Sequence, residues 1–113
     1  MLAVSFRNIK PRDEVRNRAE ALYSKLERFL DPSAEGRMVV GVDHGTAIVE
    51  LVVATHGQVH TASEQDDDLR TALDQLFHTM EGQLRRSKGR RSVRRSRDAE
   101  DADGFGTSQS SEE

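Results

Sequence analysis

No cysteine occurs in this 113-residue chain, which rules out disulfide scaffolding and cysteine metal knuckles and suits a reducing compartment. Tryptophan is absent too, and aromatic residues make up only 4% of the sequence. Phe6, Tyr23, Phe29 and Phe77 sit on or beside apolar stripes, where core packing or its margin accounts for them. Tyr23 reads as the most exposed of these. So few rings argue against a single-strand binder that stacks bases on an aromatic platform. No apolar run approaches the length of a membrane span, and residues 1–10 lack the basic-then-apolar pattern of a signal peptide. The expectation is a small cytoplasmic protein with no membrane partner.

Motifs for chemistry are equally scarce. No phosphate loop, dinucleotide fingerprint, serine elbow or cysteine nucleophile is present. His56 and His60 are four apart, but in a turn and a strand rather than on a helix. No cysteine or nearby carboxylate cluster completes a metal site with them, or with His44 or His78. Solvated turn and edge positions explain these histidines more simply. Asp66, Asp67 and Asp68 could hold a cation, yet an acidic helix start explains them at less cost. The sequence therefore reads as no enzyme, with no catalytic residue, metal site, cofactor or small-molecule substrate expected.

The most informative absence is of acid in one segment. Residues 85–97 carry Arg85, Arg86, Lys88, Arg90, Arg91, Arg94, Arg95 and Arg97 without a single carboxylate, for a local charge of +8. Residues 1–84 sum to −5 and residues 98–113 to −6, so the net −3 hides the contrast. A polyanion meets the local field rather than the sum. An acidic tail tethered just after a basic segment is also placed to compete with nucleic acid for it.

What is present reads as one domain followed by a tail. Leu2, Val4 and Phe6 alternate with small residues, as in a half-buried strand. Pro11 opens a helix with Asp13 and Glu14 in its first turn and Val15, Ala19, Leu22, Leu26 and Phe29 as its apolar stripe; Asp31-Pro32 ends it. Met38, Val40 and Val42 alternate, Asp43-His44-Gly45-Thr46 turns, and Ile48 to Thr55 is a strong aliphatic strand. His56-Gly57 turns the chain into a short strand over Val59 to Ser63. The three aspartates then start a second helix, with Leu69, Leu73, Leu76, Met80 and Leu84 on one face. This order predicts an α/β (α+β) two-layer sandwich, β-α-β-β-β-α, with both helices on one face of a four-stranded sheet. Beyond Lys88 the only large apolar side chains are Val93 and Phe105, too few to offset the entropy of ordering. The division drawn is a domain over residues 1–90 and a disordered basic-then-acidic tail over 91–113.

A packed helix that delivers an unbroken basic run to solvent is suited to meet phosphates. Helix 1 adds Arg18, Lys25 and Arg28 on one flank and Arg12 and Arg16 on the other, and two helices on one sheet face can present all of these together. Nucleic-acid binding by phosphate and shape is the leading class, with RNA favoured, because helices and loops that span a groove read duplex form without base contacts. Basic tails that only solubilise are the plainer reading. A general structured-RNA or DNA binder, such as an RNA chaperone, and a protein-interaction module that pairs through a sheet edge stay open as alternatives.

Two local patterns narrow this. Lys25-Leu26-Glu27-Arg28 closes the first helix. Ala62 is followed by Asp68-Leu69-Arg70-Thr71-Ala72-Leu73-Asp74 and then Gln83-Leu84-Arg85-Arg86. Together with the element order, over about residues 1–90, they make the chain resemble the ribosome hibernation-promoting factor and ribosome-associated inhibitor family, also called sigma-54 modulation proteins. The acidic-ending tail is similar to the short form, without the second, dimerising domain of long-form relatives. The resemblance implies a fold with the layout of double-stranded-RNA-binding domains. It also implies a partner, the small ribosomal subunit and its ribosomal RNA. Members bind in the decoding channel, block transfer RNA and messenger RNA and keep idle ribosomes intact. Carried over by position, it implies ribosomal-RNA contacts from Arg16, Lys25, Arg28, Arg85, Arg86 and Lys88, with Arg90 and Arg91 extending the set. The chain departs from the pattern at Lys10-Pro11-Arg12, where relatives cap the helix with Ser or Thr. It departs again at Leu22, where relatives often have a basic residue, and at Gly82, which costs about 1 kcal/mol of helix propensity.

Overall fold

The strands form where β-branched and aliphatic residues alternate, and their inner-facing half makes one core. In the computed structural model, which describes the backbone of residues 1–100 and the side chains of residues 1–89, β1 spans Leu2–Arg7, β2 Glu35–Asp43, β3 Thr46–Thr55 and β4 Gln58–Asp66. They lie side by side in the order β1-β2-β3-β4, with β1 parallel to β2 and the other pairs antiparallel. Two-residue turns join the antiparallel strands. His44 and Gly45 have φ of 53° and 80°, and His56 and Gly57 have φ of 52° and 73°. Two consecutive positive values are the mark of a type I′ turn, whose twist matches that of the flanking strands.

The parallel pair needs a crossover, and α1 (Asp13–Ser24) supplies it. The second helix, α2, spans Leu69–Glu100. Both pack on the same sheet face, so the sandwich expected from the sequence is the observed fold. Met38, Val40, Val49, Leu51 and Val53 from the sheet meet Ala19, Tyr23 and Leu26 from the α1 side and Leu73, Leu76, Met80 and Leu84 from α2, all of them buried. No helix among the described residues is long and apolar enough to cross a membrane.

Several boundaries differ from the expectation, each for a local reason. The first helix does not run to Asp31. It ends at Ser24 and gives way to a 3₁₀ turn, Glu27–Phe29, in which Phe29 N–H donates to Leu26 O at 2.9 Å and Leu30 N–H to Glu27 O at 3.0 Å. The tighter winding keeps Leu26 and Phe29 both pointing into the core. The helix starts at Asp13, and the preceding Arg12 gives no side-chain cap, as the missing Ser or Thr implies. Within α1 the buried aromatic is Tyr23, at 3% exposure, while Leu22 is only half-buried. Tyr23 is therefore no exposed ring. A recess at Gly36 accepts it: a Cβ there would lie 2.6 Å from Tyr23 Cε1. Burial pushes the phenol above its ordinary pKa, and Glu27 and Glu35 add to the shift.

Strand β4 is longer than the Val59–Ser63 reading and takes in Asp66. Of the three aspartates, Asp68 does the capping. Its Oδ2 accepts from Thr71 N–H at 3.1 Å and from the Thr71 hydroxyl at 2.7 Å, and these bonds hold its carboxyl below the ordinary carboxylate range. His60 is buried on the inner sheet face rather than solvated at an edge, because its position in β4 shares that face with Ala62. The backbone of α2 continues past residue 90, the boundary suggested by the loss of apolar residues. Residues 101–113, with most of the acidic tail, lie outside the described residues.

Candidate nucleic-acid interface

The two helices start at the same end of the sheet and run side by side, so one flank of α2 faces α1. Asp74, Phe77, Glu81, Arg85 and Lys88 recur on that flank at three- and four-residue steps. Two carboxylates there hold arginines from the α1 side. Asp74 Oδ1 accepts from Arg18 Nε at 3.1 Å and Nη2 at 2.7 Å. Glu81 Oε2 accepts from Arg28 Nη2 at 3.3 Å and, within its own helix, from Arg85 Nη2 at 2.6 Å. The sequence offered Asp74 only as the end of a family pattern, with no ion-pair role, and did not single out Glu81. Their i, i+7 spacing on one helix is the signal that could have found them, once the facing helix is known.

Where the 3₁₀ turn after α1 meets Arg85 and Lys88 of α2, cations gather on a ring. Phe29 is 7% exposed. Around its centroid stand the Arg28 guanidinium carbon at 4.7 Å, Lys88 Nζ at 5.9 Å and the Arg85 guanidinium carbon at 6.0 Å. Such distances suit cation–π attraction, which fixes charges over a surface without neutralising them. With Glu81 as the one carboxylate bonded to these cations among the described residues, the cluster of Arg28, Arg85, Lys88 and Glu81 carries a formal charge of about +2. Arg28, Arg85 and Lys88 all remain exposed.

A latch beneath holds this end in place. Asp31 Oδ2 accepts from His56 N–H at 2.7 Å, its Oδ1 accepts from Ser33 N–H at 3.0 Å, and Asp31 N–H donates to Thr55 Oγ1 at 2.9 Å. The segment after Phe29 is thus tied to the β3–β4 turn. The bond from His56 N–H, with those from Ser33, holds the Asp31 carboxyl below its ordinary pKa.

The other residues singled out by the sequence fall elsewhere. Arg16 lies toward the opposite end of α1, with its guanidinium carbon 5.4 Å from the Phe6 centroid and Nη1 3.6 Å from Asp13. Lys25 is exposed at the C-cap of α1. Arg86 is exposed but sits on the far flank of α2, next to Gln83 and Ser87, whose side chains bond to Thr61 O and to Gln58 on β4. The helices therefore do not gather all the basic residues into one surface. They bring together Arg28, Arg85 and Lys88. Arg90 and Arg91 continue the α2 backbone, and their side chains lie outside those described. Among the described residues no group of three or more His, Cys, Asp or Glu is arranged to hold a metal ion.

Known proteins share this architecture. The fold superposes on the Thermus thermophilus Protein Y N-terminal domain with a TM-score of 0.70 and 26% identity, covering 74% of this chain and 93% of that one. It also superposes on a ribosomal subunit interface protein from Coxiella burnetii, with a TM-score of 0.64 and 22% identity over 78% and 97% of the two chains. No curated protein sequence matches the chain. Residues 2–92 match the profile of one family, a span that takes in every strand, α1 and α2 as far as residue 92. The chain belongs to the sigma 54 modulation protein / S30EA ribosomal protein family.

Proposed function

We propose that this chain is a ribosome-associated translation inhibitor that binds ribosomal RNA of the small subunit in the decoding channel and protects idle ribosomes. It acts by binding, in the cytoplasm, and catalyses nothing. Family membership supports the ribosome as partner. The observation that carries the reading further is the position of Arg28, Arg85 and Lys88 around Phe29, where α2 leaves the sheet. At 32 residues α2 is about 48 Å long, against about 33 Å for the ten residues of β3, so the helix outreaches its sheet. A fixed cationic cluster thus opens onto a rod that carries the rest of the basic run.

Recognition by this surface is of phosphates and their spacing. Phe29 is too buried to offer a face to a base, and its role is to seat the cations. Ribosomal RNA, folded and rigid, presents phosphates at fixed distances, which suits cations held at fixed distances.

Co-sedimentation with separated ribosomal subunits tests the reading. The chain is expected to travel with small subunits, and prior loading of those subunits with messenger and transfer RNA is expected to displace it. Binding to large subunits alone, or binding to small subunits that loading leaves unaltered, would contradict the decoding-channel assignment.

A further inference from the structure

Glu81 stands out within the cationic cluster because its chemistry opposes that of its neighbours. One oxygen, Oε2, receives Nη2 of both Arg28 and Arg85, at 3.3 and 2.6 Å. The carboxylate is two-thirds buried, while both guanidiniums stay exposed. The two arginines come from different elements, Arg28 in the 3₁₀ turn and Arg85 on α2, and Glu81 bonds both, so that with the Phe29 ring it fixes the distance between their charges. An anionic oxygen between two guanidiniums is also the arrangement that a phosphate oxygen takes.

We infer that Glu81 is a specificity-determining residue of this surface, an internal stand-in for phosphate that holds Arg28 and Arg85 apart at a fixed spacing and repels polyanions that do not match it. The inference rests on the proposed RNA-binding role of the cluster. Its physics has two opposing parts. The negative charge lowers the attraction for any RNA phosphate brought near. The two hydrogen bonds hold the guanidiniums in position before binding, which saves ordering entropy only for a ligand whose phosphates already sit at that spacing. Flexible RNA gains nothing from the second part and feels the first in full. Rigid ribosomal RNA gains from the second and so offsets the first. Glu81 therefore lowers affinity for unstructured RNA more than for the ribosome, which is specificity by repulsion as well as by fit.

The test compares Glu81→Gln with the wild-type chain for binding to purified small subunits and to a short oligouridine, at fixed salt. Glutamine keeps the length and an acceptor oxygen but removes the charge. Affinity for oligouridine is expected to rise and the ratio of subunit to oligouridine affinity to fall by about fivefold, the order that one exposed ion pair supplies. Glu81→Asp keeps the charge but withdraws the oxygen by a methylene; it is expected to leave oligouridine binding near wild type and weaken subunit binding. Equal gains for both ligands in Glu81→Gln would reduce Glu81 to a plain charge, and equal losses would make it merely structural; either overturns the inference. The Arg28→Ala/Arg85→Ala/Lys88→Ala variant is measured alongside. If it binds subunits like wild type, the interface itself fails, and this inference with it. If it loses binding while Glu81→Gln leaves the ratio unchanged, this inference alone fails.

Discussion

The two flanks of α2 are built from similar residues and do different things. On the β4 side, neutral side chains of the helix donate to the sheet: Thr79 Oγ1 to Glu64 at 3.0 Å, Gln83 Nε2 to Thr61 O at 2.9 Å and Ser87 Oγ to Gln58 at 3.1 Å. On the α1 side the contacts are ionic, through Asp74 and Glu81, and their arginines stay at the surface. One flank satisfies its neutral polar side chains within the protein. The other uses carboxylates to aim cations outward. The lesson is that basic residues adjacent in sequence, Arg85 and Arg86, belong to different surfaces because a helix turns 100° between them.

The comparison is broken most sharply by charge reversal. Arg85→Glu is expected to cut small-subunit affinity more than tenfold, because it places a carboxylate among Arg28, Lys88 and Phe29. Arg86→Glu, on the far flank, is expected to have a clearly smaller effect. Equilibrium binding at one salt concentration checks both, and equal losses would erase the distinction between the flanks.

Stability should respond the other way round. Gln83→Ala removes the bond to Thr61 O and is expected to cost about 1 kcal/mol in chemical denaturation, with no effect on the salt dependence of RNA binding. The latch at Asp31 titrates. Its carboxyl pKa is lowered in the folded chain, so its stabilisation is complete above about pH 4, the ordinary carboxylate range, and is lost as pH falls through the lowered folded value. Asp31→Asn is expected to be less stable than wild type at pH 7, and the gap between the two is expected to shrink as acid is added. Denaturation midpoints across pH 2–7 check this.

The smallest effect sits in the core. The Tyr23 hydroxyl is buried without a hydrogen-bond partner among the described residues. Tyr23→Phe removes a polar group that gains nothing from burial, so melting is expected to stay level or rise slightly. A loss of more than about 1 kcal/mol would mean that the hydroxyl has a role in packing against Gly36.

Much of this was legible in the sequence, and the reasons for the gaps are local. The strands and both two-residue turns could be read because period-two alternation and the His-Gly pairs are short-range signals. The acidic start of α2 was legible for the same reason, since Asp68 caps a residue only three positions on. Tyr23 was misread because it and Leu22 are adjacent, and only the recess at Gly36, a tertiary feature, decides which turns inward. The roles of Asp74 and Glu81 depend on which flank of α2 meets α1, and periodicity gives the buried face without naming its neighbours. The basic residues were legible from the acid-free run, from their places on the flanks of helix 1 and from the family resemblance. Their division into Arg28, Arg85 and Lys88 on one side and Arg86 on the other needed the packed helices.

The central claim is that the α1-facing cluster supplies phosphate contacts to the ribosome. The most direct test is the slope of log affinity against log salt for small-subunit binding, in wild type and in the Arg28→Ala/Arg85→Ala/Lys88→Ala variant. Each lost phosphate contact lowers the slope by about one unit, so a fall of about three is expected, with circular dichroism and melting nearly unchanged. A folded variant with wild-type slope and affinity would contradict the account.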